Sequence, residues 1–366
     1  MLAATLLPAV ACATIANPSG WSGPQAVGDL ILVSDEGTLK AIQVEDDSFR
    51  EKWRFPDPNR PEDEDIDPEG IYGTPVAAAG VVYFGAYDDN VYALDLEDGE
   101  LVWDEPFATD GPVIGGVALN GRDEEVDTVF AGSDDGNLYA IDARSGREKD
   151  RFDAGDSIWA PPLFDQGIVY VATLGDKLFA LDAKTLDEIW DKPFEAEAGL
   201  VSTPVLADEE TLLVGGLDRQ LYAVDAGSGR EKWSFKADNW FWTQPLVDGG
   251  VVYAGSLDKK LYALDLASGD PVSKFEFEAE SPIRAAPIIL DGVLVVADRS
   301  GNLYGRDPAT GDLVWGDEEN PPSLDADVLG HPIQLAERVL FSTQDGDLFL
   351  IDPEDGGRQP VTVRGS

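Results

Sequence analysis

The chain is poor in the residues that most often carry chemistry. Among 366 residues there is one cysteine, Cys12, one histidine, His331, and one methionine. A single cysteine excludes an intramolecular disulfide and any multi-cysteine metal centre. A single histidine excludes a multi-histidine metal site and leaves any catalytic triad one candidate base. His331 stands before Pro332 at the start of a first strand, where a structural role is expected. Basic residues are also scarce, 26 Lys and Arg against 71 Asp and Glu, for a formal net charge of −45. Such a surface repels phosphate backbones and excludes nucleic acid as a partner. The acid excess runs along the whole chain, which suits a salty or cation-rich medium or simple solubility. No long apolar stripe of helical period occurs. No P-loop or zinc motif appears, and Gly-rich stretches such as DGG and GSG fall where hairpins need turns. No catalytic, metal or cofactor residues are assigned.

What is present is one phrase, repeated. It reads NVYALD at 90–95, NLYAID at 137–142, KLFALD at 177–182, QLYAVD at 220–225, KLYALD at 260–265, NLYGRD at 302–307 and DLFLID at 347–352, with a worn first copy, TLKAIQ, at 38–43. The matching apolar residues are Leu39, Val91, Leu138, Leu178, Leu221, Leu261, Leu303 and Leu348, spaced 40 to 52 residues apart. Around each phrase lie a Pro-containing apolar start, a VVY-type run, an Asp/Gly turn and a final KW-F run. Copy 6 shows all of them as QPLV, GVVYAGS, LDKK, LYALD, LASGD and PVSKF. Four short β-branched or aromatic runs split by Gly/Asp turns are strand signals. The expected fold is all-β, an eight-bladed β-propeller of four-stranded antiparallel blades over residues 18–366. The first and last copies look complete, from Trp21 to Phe55 and from Leu329 to Val363. Closure then needs no strand exchanged between termini, although the N-terminal segment is free to pair with the final VTV run.

The recurrent Ala of LYALD leaves room for a large side chain from a neighbouring sheet. Eight residues after the repeat Asp stands a tryptophan in four copies, Trp103, Trp190, Trp233 and Trp315, with Trp53 serving the first copy at longer spacing. Asp150, Ser273 and Pro360 occupy the place elsewhere. The repeat aspartates read as turn formers whose carboxylates accept loop N–H groups. The pattern Ala-x-Asp-x-x-x-Gly-x-x-x-Trp, as in 93–103 and 223–233, resembles the tryptophan-docking repeat of pyrroloquinoline-quinone (PQQ) propellers, and the resemblance covers residues 20–366. Quinoprotein dehydrogenases of that family carry vicinal cysteines and Glu, Asn and Asp ligands for Ca²⁺ in long insertions. With one cysteine and about 46 residues per blade, this chain departs from them, so the PQQ-dependent dehydrogenase is the alternative and not the first reading. Without the cofactor the propeller is similar to BamB, the lipoprotein subunit of the outer-membrane β-barrel assembly machine. That resemblance implies a non-catalytic scaffold in the cell envelope that binds protein or peptide partners.

The first seventeen residues fit that implication. MLAATLLPAVAC is too short to span a bilayer but has the length and small-residue ending of a signal-peptide core. Ala9-Val10-Ala11-Cys12 resembles a bacterial lipobox, which implies acylation of Cys12 and a membrane anchor. It departs from the pattern in having Ala9 where leucine is usual and no Lys or Arg before Lys40.

Two other stretches stand out. Residues 57–70, DPNRPEDEDIDPEG, form an acidic insertion. Asp63-x-Asp65-x-Asp67 has the spacing of a Ca²⁺ loop, but Pro68 replaces the glycine such a loop needs, and a solvated acidic loop is expected. At the first strands, the residue three before each recurrent proline should circle the channel mouth. These are Trp21, Tyr72, Trp159, Val201, Trp242, Arg284 and Leu329, with Val113 in copy 3. They either seal the channel top or form a recognition funnel, with aromatic surface for an apolar or extended segment and Arg284 for a carboxylate. Trp240 is an extra that no repeat position requires, expected exposed beside the funnel. Because aromatic funnels also stack on sugars, a polysaccharide or small-ligand sensor is the third functional class.

Overall fold

A computed structural model describes residues 22–45, 48–121, 126–317 and 320–365. Its strands fall into eight antiparallel sheets, in chain order around a ring. The fold is the eight-bladed propeller expected from the repeat. The innermost strands are short, for example Val76–Ala78, Leu163–Asp165 and Leu246–Asp248. The VVY and LYALD runs supply the two central strands, as in Val81–Gly85 paired with Asn90–Asp95. Most central strands are buried on both faces, so their β-branched and aromatic residues run almost without interruption, the exception being Thr38–Glu45 of blade 1.

No single core exists. The buried apolar residues separate into eight clusters, each shared by two neighbouring blades. Stability therefore resides in the seams between blades, as in repeat proteins generally. The seam between blades 8 and 1 joins Leu340, Leu348 and Leu350 to Ile31, Val33 and Phe49. There the expected closure is corrected: the last run leaves blade 8, and Val363–Arg364 pairs in parallel with Phe49 and Arg50 on the outer edge of blade 1. Blade 8 therefore ends at Arg358–Pro360, and Val361 and Val363 pack into the closing seam. The run from 358 to 364 thus ties the last blade to the first.

Outer strands are regular in blades 1, 3 and 5, at Ser48–Phe55, Glu148–Asp153 and Glu231–Lys236. In blades 2 and 4 only two-residue strands remain, Phe107–Ala108 and Phe194–Glu195. In blade 6 the PVSKF run is not a strand; isolated bridges Leu264 to Pro271 and Lys260 to Glu278 hold the edge. Pro106, Pro193 and Pro271 lie in these broken edges, where a residue without an N–H cannot continue a ladder.

Candidate functional site

Two systems of side chains organise the propeller, one in the seams near the rim and one on the axis. At the rim, five tryptophans dock across seams. The indole N–H of Trp53 donates to Leu96 O at 2.9 Å, Trp103 to Ala143 O at 2.9 Å, Trp190 to Ala226 O at 3.0 Å, Trp233 to Leu266 O at 2.8 Å and Trp315 to Pro353 O at 2.6 Å. Each acceptor is the residue after the turn aspartate of the following blade, or its counterpart. Each ring then lies on the glycine of that same turn: Gly99, Gly146, Gly229, Gly269 and Gly356. Gly146 shows why no other residue serves. Its φ is +66°, and a Cβ there would lie 2.6 Å from the ring of Trp103. The recurrent Ala faces the tryptophan of its own blade, as in Ala41 opposite Trp53 and Ala223 opposite Trp233. This differs from the expected contact with a neighbouring sheet, because a ring on the outer strand must pass its own third strand before it reaches the next blade.

The turn aspartates behave as expected. Asp182 accepts the N–H groups of Lys184 and Thr185, and Asp307 those of Ala309 and Thr310. These bonds hold the Asp182 carboxyl below the usual range. A second aspartate set escaped the sequence reading. Asp135, Asp218 and Asp258 accept the hydroxyls of Tyr139, Tyr222 and Tyr262 at 2.7, 2.6 and 2.7 Å. Tyr92 donates to Asp88 in the same way, so the D-x-x-x-Y spacing in four copies was the available signal. Burial, followed by this bond, pushes the Tyr139 phenol up to about 12.

On the axis, Tyr72, Trp159, Val201, Trp242, Arg284 and Leu329 line one cavity of about 310 Å³. Trp21 and Cys12 lie outside the described residues. Blade 3 contributes Ile114 and not Val113. Val113 is fully buried beneath the mouth against Gly85. The pairing of Leu163 with Tyr170 and of Ala118 with Phe130 shows why: Val117 takes the place of the blade's proline, so the count shifts by one. Ile158, Phe241 and Ile283 are the counterparts of Val113, each packed on a strand-end glycine.

Trp240 does not line the cavity and is half-buried, not exposed. Its ring stacks on Trp242, with centroids 6.5 Å apart and an interplanar angle of 29°. Its carbonyl accepts the Leu257 N–H at 2.9 Å, a bond that Gly70 and Gly199 repeat in their own blades. Only the side chain of Trp240 is extra to the repeat. The guanidinium of Arg284 lies over Trp242, 4.7 Å from the ring centroid. Burial and then repulsion from Arg299, opposed by Asp327, push the Arg284 pKa down to about 10, so the group stays cationic at neutral pH. Asp327 is itself 3.3 Å from Arg299. The Trp159 indole is fixed by a 2.6 Å bond to Asp134.

Two further residues join the mouth, Tyr87, which the sequence did not single out, and His331, for which a structural role was expected. Tyr87 packs against Tyr72 with centroids 5.6 Å apart and the rings tilted by 56°. It comes from the turn of blade 2, where the copies in blades 4, 5 and 6 have Leu174, Leu217 and Leu257; an aromatic in that place was the only signal. His331 lines the cavity and sits 3.3 Å from the Thr74 hydroxyl. Burial lowers its pKa, so the imidazole is neutral at pH 7.

The acidic insertion is tied down by one buried pair. Asp63 accepts the Asp57 N–H at 2.9 Å, and Arg60 donates to Asp98 O and Gly99 O of blade 2 at 2.9 and 2.8 Å. Asp63, Asp65 and Asp67 do not converge, and among the described residues no group of three or more His, Cys, Asp or Glu is placed to hold a metal. A quinone cofactor with its Ca²⁺ does not fit the mouth, because none of the described lining residues is a carboxylate.

The model of the outer membrane protein assembly factor BamB family matches overlapping segments that run from residue 14 to 361. BamB of Moranella endobia is 26% identical over 187 residues, 49% of this chain and 46% of that protein. BamB of Escherichia coli is 26% identical over 188 residues, 48% and 45% of the two chains. The aligned stretches thus span somewhat under half the length of these relatives. Among solved structures, BamB from Moraxella catarrhalis matches with a TM-score of 0.64 at 19% identity, over 79% of this chain and 84% of that one. The designed protein Ika8 matches at 0.67 and 13% identity, over 91% and 97%. Both structural likenesses speak to the fold. Repeats, docked tryptophans and family match agree, and the chain belongs to the PQQ-type propeller family described as outer membrane protein assembly factor BamB.

Proposed function

We propose that the protein is a non-enzymatic scaffold of the cell envelope that binds a protein or peptide segment at the channel mouth. The observation that carries this reading is the mouth itself. Tyr72, Tyr87, Trp159 and Trp242 from three blades meet in one cavity on the axis, a concave, mostly apolar site of the kind that holds ligands. Membership of the BamB family supports a scaffold role, since relatives carry the name of assembly factors. The anchor belongs to the proposal: residues 1–17 serve as signal and lipid-attachment segment, with acylated Cys12 holding the propeller at a membrane. Mass spectrometry of the native N-terminus tests it, and an unmodified Cys12 preceded by residues 1–11 refutes it.

The binding reading is tested with a photo-crosslinking residue at Trp242 in the full chain, followed by identification of the crosslinked species. One recurring envelope protein, lost when Trp159→Ala blocks the mouth's aromatic wall, supports it. Glycan-array binding that depends on Trp242, with no crosslinked protein, would replace the peptide by a carbohydrate. Dehydrogenase activity gained on adding PQQ and Ca²⁺ would overturn the non-enzymatic reading.

A further inference from the structure

The charge of the mouth is opposite to that of the molecule. Roughly one residue in five of the chain is Asp or Glu, 71 of 366. Yet none of the 21 described residues lining the cavity is acidic, and Arg284 is the one Lys or Arg among them. His331 adds a neutral imidazole, since burial lowers its pKa. The outside charges that act on Arg284, Arg299 and Asp327, pair with each other at 3.3 Å, and the carboxylates of Asp134, Glu69 and Asp89 act on the Tyr87 side of the mouth. Asp134, on the blade 3 turn, is engaged by the Trp159 indole. A guanidinium half-withdrawn from water, laid over Trp242 in a chamber without carboxylates, attracts an anion more strongly than one on the wet surface would.

The size of the chamber narrows the ligand. At about 310 Å³ it is at the small end of ligand cavities, which run from roughly 300 to 1,000 Å³. It holds a short molecule, or the last one or two residues of a chain, and not a folded surface. Tyr72, Trp159, Val201, Trp242 and Leu329 give it apolar walls, so the anion must be attached to an apolar body. A phosphate, with its larger hydration cost and need for several donors, suits it less than a carboxylate.

We infer that the channel mouth recognises a carboxylate carried on an apolar body, with Arg284 as its counter-charge, as presented by a peptide C-terminus or by a free short-chain acid. The inference rests on the mouth being the binding site. Titration calorimetry with the full-length protein compares an acetylated tripeptide ending in leucine as free acid, the same peptide as C-terminal amide, and 4-methylpentanoate. The free-acid peptide should bind at least tenfold more tightly than the amide. Arg284→Gln should erase that ratio without changing the melting temperature, and Arg284→Lys, which keeps the charge but loses the fork, should restore part of it. Tight binding of 4-methylpentanoate alone assigns the site to free acids; preference for the peptide acid assigns it to chain ends. Equal affinity of acid and amide, an acid preference that survives Arg284→Gln, or no binding of any probe overturns the inference. If the Trp242 crosslink persists while acid and amide bind alike, the binding mouth stands and the carboxylate falls. If acid selectivity is found without a crosslinked protein, the carboxylate stands and the protein partner falls.

Discussion

The seam between blades 4 and 5 and the seam between blades 3 and 4 fill the same space in different ways. In the first, Trp190 reaches over the turn and lies on Gly229, with its N–H bonded to Ala226 O. In the second, blade 3 has an exposed Asp150 where the tryptophan would stand, and the receiving turn carries Leu186 in place of glycine. Leu186 has φ +52° and is buried in the cluster shared by blades 3 and 4. In this seam the glycine that makes room for a ring is absent together with the ring; the seam between blades 6 and 7 keeps it as Gly311, at φ +76°, against the Glu276 backbone. The seam between blades 6 and 7 offers a third solution: blade 6 has Ser273, and the Tyr253 hydroxyl takes over the bond to Pro308 O at 2.8 Å. What the fold demands is therefore a filled seam, and not tryptophan as such.

The comparison breaks most visibly at the ring. Trp190→Ala should destabilise by about 3–5 kcal/mol, the usual cost of removing a buried tryptophan, whereas Asp150→Ala at the equivalent position should stay within about 0.5 kcal/mol; urea unfolding of both variants measures the contrast. Gly229→Ala should cost about 2–4 kcal/mol. Its φ of +69° disfavours a Cβ, and that atom would lie 2.6 Å from Trp190. A smaller effect sharpens the argument. Asp150→Trp alone should clash with Leu186, and Leu186→Gly alone should leave a gap, but the double variant should show a favourable coupling of about 1–2 kcal/mol in a double-mutant cycle. Additive effects would mean that the two seams are not alternatives.

A fourth prediction concerns the mouth and is smaller still. The His331 pKa is lowered by burial, so the unfolded chain takes up a proton at this residue before the folded one does. Its contribution is present above the unfolded value of about 6.5 and is lost as pH falls below it. Between pH 7 and pH 5 the wild type should lose stability relative to His331→Gln; parallel pH profiles for the two would show that the imidazole is not desolvated. The comparison with the variant matters, because protonating any of the 71 acids relieves self-repulsion at the same time.

The rim was legible in the sequence because it repeats. The eight phrases, the Asp turns and the tryptophan spacing recur with the period of the blade, so each copy vouches for the next. The mouth was legible only as a count from the prolines, and the count failed where the proline did, giving Val113 for Ile114. Tyr87 was missed, and His331 was read as structural and not as part of the mouth, for the same reason: each is peculiar to one blade, and only the ring closure brings blades 2 and 8 to one cavity. Trp240 was misjudged because its carbonyl, not its side chain, fills the repeating position. Closure itself turned on Val363–Arg364, whose pairing with blade 1 no local pattern announces.

The central claim is that the mouth binds and the rim only holds. It is tested most directly by native capture from the envelope fraction with two variants of the full chain. One alters the mouth, Trp159→Ala with Trp242→Ala; the other alters the exposed apolar residues of the rim, Ile189→Ser with Val314→Ser. The account predicts that the crosslinked partner is lost with the mouth variant and kept with the rim variant, both folded. Loss with the rim variant and retention with the mouth variant would contradict it.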